Sequence, residues 1–177
     1  MVHNFPPKKL LSPVGDGTWT EKVLHSFSGS DGSGPYATPV FDTAGNLYVT
    51  TLGGGANGWG TVGMLTPGVS WTENVLYSFM GGSDGGTPES SLVLDATGNL
   101  YGTTYTNSSG TGFGTAFELM NSNSGWNESV LHTFTFSPDG GHPVAGMVFD
   151  KAGNLFGTTT VGGATHFHLG TVFVVMP

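Results

Sequence analysis

Apolar and polar residues alternate in short runs along the whole chain, and each run is closed by glycine, proline or an Asx turn. Alternation at every second position marks a half-buried strand, whereas an amphipathic helix repeats its apolar residues about every 3.6 positions. No segment carries the helical period, and Gly, Thr, Asn and Ser crowd every stretch long enough to hold a helix. The pattern predicts an all-β chain.

The runs recur. The segment Trp19-Thr20-Glu21-Lys22-Val23-Leu24-His25-Ser26-Phe27 returns in altered form at residues 71–79 and 126–134, a period of 52 to 55 residues. A second signature, Phe41-Asp42-Thr43-Ala44-Gly45-Asn46-Leu47-Tyr48, returns at 94–101 and 149–156, and a third, Gly60-Thr61-Val62, at 114–116 and 170–172. Each unit reads as four short antiparallel strands, named A to D from inner to outer; in the second unit they fall near 90–94, 100–104, 115–119 and 126–134. The A–B link Asp95-Ala96-Thr97-Gly98-Asn99 sets an Asp that can accept backbone N–H bonds before a Gly that can take positive φ, the chemistry of a tight hairpin. Four such strands in a unit of about 40 to 50 residues make the pattern of a β-propeller blade.

The units are offset from the chain ends. Residues 8–13 resemble a C strand and 19–27 a D strand, both ahead of the first A strand near 37–41, while the third unit stops after its C strand at 171–176. The expected layout is one propeller arc over residues 1–177: closing strands at 8–27, repeats at 28–79 and 80–134, and a third repeat at 135–177 without its outer strand. Three blades are fewer than the roughly four to eight that close a ring, and an open arc exposes an apolar face at either end. The expectation is a six-bladed propeller formed by a homodimer, with residues 19–27 of one copy completing the third blade of its partner. A nine-bladed trimer is the alternative.

Composition narrows the partners. Hydrophobic residues reach 37% and aromatics 12%, too apolar for a disordered linker despite 31 glycines and 10 prolines. There is no cysteine, so neither a disulfide framework nor a thiolate metal site exists. Four lysines (Lys8, Lys9, Lys22 and Lys151) and no arginine stand against 12 carboxylates, a net charge of -8. Phosphate backbones are held by clustered cations, so nucleic acid is not an expected partner. No run of about 18 apolar residues is present to span a bilayer as a helix, and Pro6-Pro7-Lys8-Lys9 sits where a signal peptide would carry its apolar core. No membrane association is expected of the chain.

Three further marks are Ser30-Asp31-Gly32 followed by Pro35, Gly45-Asn46-Leu47-Tyr48, and Gly53-Gly54-Gly55 ahead of Gly60-Thr61-Val62. With three concurrent copies, the chain from Trp19 onward resembles the Gloeobacter-Verrucomicrobia tandem repeats, or GloVer repeats, of bacterial surface and secreted proteins. The resemblance implies a propeller-like fold and a secreted or cell-surface location. It carries over no defined biochemical activity.

Repetition separates structural devices from chemistry, because a catalytic constellation needs differentiated groups. Nine of the 12 acids recur in register. Asp42, Asp95 and Asp150 read as hairpin corners, and Glu21, Glu73 and Glu128 as solvated charges on outer strands that discourage edge pairing. Asp31, Asp84 and Asp139 lie in the D–A connections, which run from rim to axis. They read either as Asp-Gly turns or as a ring of carboxylates that binds an axial cation such as Ca²⁺. The B–C loops share that face and carry Trp59 and Phe113, which either hold a sugar-like ligand beside those carboxylates or cover a neighbouring blade. The third repeat adds His142 to its D–A loop and His166 and His168 to its B–C loop; three imidazoles with an open position suit Zn²⁺ and a metal-activated water. His25 and His132, with Tyr77 in register, read as packing positions. The function expected first is an extracellular binding or surface-display module, with Asp31, Asp84, Asp139, Trp59, Phe113 and His142 facing a carbohydrate or cell-surface ligand. The alternative is a metal-dependent ester or phosphotriester hydrolase on the same scaffold, and a third reading makes the arc a segment of a longer fibre or ring.

Overall fold

A computed structural model describes residues 19–107, 110–122, 124–164, 166–167 and 169–176. They form three antiparallel sheets, one per repeat. The first orders β1 (Val40–Phe41), β2 (Leu47–Thr51), β3 (Thr61–Thr66) and β4 (Thr72–Ser78) side by side. The second does the same with β5 (Val93–Leu94), β6 (Leu100–Thr104), β7 (Thr115–Ser122) and β8 (Gly125–Thr133). The third holds β9 (Val148–Phe149), β10 (Leu155–Thr159) and β11 (Thr171–Val175). Residues 8–13 lie outside the described residues. Residues 19–27 form no strand, and among the described residues no C strand lies beside them to supply a ladder.

Local chemistry sets each strand. In the first A–B turn, Asp42 Oδ1 accepts the N–H groups of Ala44 and Asn46 at 2.8 and 2.9 Å, and Oδ2 accepts the Asn46 side-chain amide at 2.7 Å. Asp95 and Asp150 repeat the set. Gly45, Gly98 and Gly153 turn the corner at φ of 91°, 90° and 88°. The A strands are shorter than expected for a definite reason. Ser90 Oγ both accepts from the Thr103 N–H at 3.0 Å and donates to the Thr103 carbonyl at 3.3 Å, so a side chain replaces the backbone rung and the ladder starts only at Val93.

A threonine pair pins the B and C strands at the loop end of every sheet. The hydroxyls of Thr51 and Thr61, Thr104 and Thr115, and Thr159 and Thr171 lie 2.8, 2.8 and 2.9 Å apart. The C-strand hydroxyl also donates to the carbonyl of Asp31, Asp84 or Asp139, at 3.1, 3.5 and 3.1 Å, which ties the D–A loop to its own sheet.

Cores form between sheets. Tyr48, Val62 and Phe79 of the first meet Leu92, Leu100, Phe117 and Leu119 of the second, and Ala116 and Phe134 meet Met147 and Leu155 of the third. Phe79 packs edge-on against Phe117 at 5.1 Å and Phe134 against Phe173 at 4.9 Å. These C-strand rings lie over glycines on the paired B strand, Gly102 under Phe117 and Gly157 under Phe173. The first sheet inverts the arrangement, with Val49 on the B strand opposite Gly63 on the C strand. One large and one small residue fill the space in either order. Val49 joins Leu47 and Leu65 under Leu24, Phe27 and Trp71, so residues 19–27 cover the first sheet as β4 covers the second.

Candidate functional site

The side chains with most chemistry gather where each D–A loop meets a neighbouring sheet. His25 Nε2 donates to Asp31 Oδ2 at 2.8 Å, and the other oxygen accepts the Ser28 N–H and hydroxyl at 2.8 and 2.9 Å. Asp31 is held down at about 2, first by the Ser28 N–H, with the His25 and Ser28 side chains adding to it against the cost of burial. In the next repeat Asp84 Oδ2 accepts the Met80 N–H at 2.7 Å and the Tyr77 hydroxyl at 3.1 Å, while Oδ1 accepts the Gly82 N–H at 3.1 Å. In the third, His132 Nε2 lies 2.8 Å from Asp139 Oδ2, and Oδ1 accepts the Thr135 N–H at 3.2 Å and its hydroxyl at 2.6 Å. Burial raises Asp139, but these bonds outweigh it and the carboxyl sits below its usual range.

A second carboxylate faces each of the first two pairs. Glu73 comes from β4, and ligand atoms of His25, Asp31 and Glu73 lie within 4.8 Å of one another. Glu128 holds the same position on β8 and feels the charge of Asp84. One oxygen of each glutamate is buried without a hydrogen-bond partner. Burial raises Glu73, and it pushes Glu128 to about 7 with help from Asp84. These two glutamates are therefore not the solvated edge charges that alternation suggests, because the D–A loop of the preceding junction comes over them. His25, Tyr77 and His132 are likewise more than packing positions. The signal was present in the sequence: that D-strand position always carries a ring with a hydrogen-bond donor. Among the described residues, the three His, Asp and Glu side chains placed to share a metal ion are His25, Asp31 and Glu73.

The third cluster lacks its glutamate, since β11 has no outer neighbour among the described residues. A groove of about 240 Å³ opens there, lined by His132, Asp139, Val172, Phe173, Val174 and Val175.

Other expected site residues are placed as follows. Trp59 is half-buried over the next D–A loop, where a Cβ on Gly81 would collide with its ring, and its carbonyl accepts the Thr87 N–H at 2.8 Å. Phe113 lies on Gly141 in the same way, and its carbonyl accepts the His142 N–H at 2.8 Å. Both rings pack against the D–A loop of the next repeat. His142 stacks on Tyr105 at 4.2 Å, with its Nδ1 2.8 Å from the Tyr105 carbonyl. His166 is exposed, and His168 lies outside the described residues. Asp31, Asp84 and Asp139 are each engaged within their own loop.

Two comparisons with known proteins bear on these repeats. A family model described as the Gloeobacter/Verrucomicrobia repeat matches residues 11–177. The chain belongs to that family. No curated protein matches it. The match to the Gloeobacter/Verrucomicrobia repeat spans all three sheets.

Proposed function

We propose that two copies of this chain close a six-bladed β-propeller, and that the ring acts outside the cell as a binding or display module for a carbohydrate or other cell-surface ligand. What supports this reading is that groups joined at each internal junction recur without their partners, among the described residues, at the two ends of the chain's sheets. Inside the chain each junction is joined by a backbone hydrogen bond, Thr87 N–H to the Trp59 carbonyl and His142 N–H to the Phe113 carbonyl. Pro88 packs on Gly60, and Pro143 on Gly114. The equivalent groups at the ends are the Gly34 N–H and Pro35 on one side and the Leu169 carbonyl and Gly170 on the other.

Burial follows the same logic. Val62 and Ala116 are fully buried, while the equivalent Val172 is 79% exposed. Thr50 and Thr103 are buried and bond across their junctions to the carbonyls of Ser90 and Pro143, whereas Thr158 is exposed. Leu169, in the place of Trp59 and Phe113, is 81% exposed. An apolar face of this kind, beside a strand edge with no partner among the described residues, is a surface for association.

Secretion rests on the family resemblance. The ligand reading rests on the D–A and B–C loop face, where Tyr36 presents an exposed ring of the kind that stacks on sugars. Binding is placed ahead of metal-dependent hydrolysis because Asp84, Asp139 and His142 are already engaged in bonds within the fold, although His25, Asp31 and Glu73 are placed to share a metal ion. A glycan array probed with the purified dimer tests the ligand. Binding that Tyr36→Ala weakens at least about tenfold, with the oligomeric mass unchanged, supports the reading, and an array with no retained glycan overturns the carbohydrate part.

A further inference from the structure

The proposed closure leaves open how the two copies pair, and the internal junctions supply a template. In the first sheet Thr61, Val62, Gly63, Met64 and Leu65 stand opposite Ser78, Tyr77, Val75, Asn74 and Glu73, with a bulge between Val62 and Gly63. The second sheet repeats this register, from Thr115 opposite Thr133 to Leu119 opposite Glu128, with the bulge at Ala116 and Phe117. In both, the residue after the D strand donates its N–H back to the glycine before the C strand, Phe79 to Gly60 and Phe134 to Gly114, each at 3.0 Å. A register and bulge repeated twice belong to the repeat, not to one sheet.

We infer that residues 19–27 of a second copy lie antiparallel along β11, with Ser26 opposite Thr171, His25 opposite Val172, Val23 opposite Phe173, Lys22 opposite Val174 and Glu21 opposite Val175, and that Glu21 thereby joins His132 and Asp139. The inference rests on the two-copy closure proposed above. The groove beside β11 already exposes His132 and Asp139 to the incoming strand. Their geometry matches that of His25 and Asp31, with the same 2.8 Å contact and the same edge-on ring two residues later, Phe27 or Phe134. The missing member is a glutamate two residues after the strand's tryptophan, as Glu73 follows Trp71 and Glu128 follows Trp126. Glu21 follows Trp19 in the same way. Trp19 and Val23 are 70% and 67% exposed, and among the described residues no strand pairs with this segment.

The absence of native cysteine makes the register directly testable. A chain carrying Lys22→Cys with Val174→Cys places two thiols on directly opposed positions, close enough for a disulfide; Val23→Cys with Val174→Cys is offset by one residue and points to the other face. Under mild oxidation the first chain is expected to run as a covalent dimer and the second is not. All three positions are on or near the surface, so circular dichroism should show both chains folded. A dimer by light scattering in which the in-register pair fails to cross-link overturns the register and leaves closure standing; a monomer removes both. The cluster has its own readout. Glu21→Gln and His132→Gln should change the dimer Kd non-additively, by at least about twofold. Additive effects would take Glu21 out of the cluster.

Discussion

Glu128 is a carboxyl group with one oxygen buried and unpartnered beside the charge of Asp84, and that position makes its ionisation costly. Its value of about 7 lies above the ordinary 4.5, so the folded state holds this proton more tightly than the unfolded chain. The sign follows: the contribution is fully present below about pH 4.5 and is lost as pH rises through about 7. Because the side chain is only half-buried, solvent screening reduces the effect to about 1 kcal/mol. Glu128→Gln should therefore lose about 2–4 °C less in Tm than the wild type between pH 5 and pH 8, read by scanning calorimetry. Equal losses would show that Glu128 ionises freely. A second prediction concerns the B–C packing pair of the second sheet. A Cβ on Gly102 would lie 2.7 Å from Phe117 Cζ, so Gly102→Ala should cost about 1–3 kcal/mol in urea unfolding. Combined with Phe117→Leu the penalty should fall well below the sum of the two single changes, because Val49 and Gly63 show that the site accepts bulk from either strand.

At the scale of elements, the turns do most to specify the fold. Asp95 gathers two N–H groups and a side-chain amide into one corner, and Asp95→Ala should cost about 1–2 kcal/mol by leaving those donors without their acceptor, measurable in the same unfolding experiment. This logic was readable in advance: the B strand at Leu100–Thr104 falls where alternation put it, since the Asp and Gly before it fix the register. The A strand was not, because the rung made by the Ser90 hydroxyl is a side-chain substitution that a period of two does not reveal. The clusters were half legible. Asp31, Asp84 and Asp139 stood out by recurrence, but Glu73 and Glu128 occupy positions that alternation marks as polar. Only the approach of a neighbouring loop buries them. The covering role of Trp59 and Phe113 likewise depends on contacts between repeats that no local pattern encodes.

At the scale of the molecule, three sheets share two cores, and a third apolar cluster lies under residues 19–27 at one end. In the free chain Val172 is mostly exposed, so Val172→Glu should cost little in folding yet place a charge where the proposed closed ring would bury an apolar contact. That variant should remain folded by circular dichroism and sediment as a monomer. A Val172→Glu chain that still dimerises would move the interface elsewhere. The claim on which the rest depends is that the open edge of the third sheet and residues 19–27 are two halves of one junction. Light scattering coupled to size exclusion, on the unmodified chain at micromolar concentration, tests it most directly. The account predicts a single species of twice the 18.3 kDa chain mass, and a stable monomer at that concentration would contradict it.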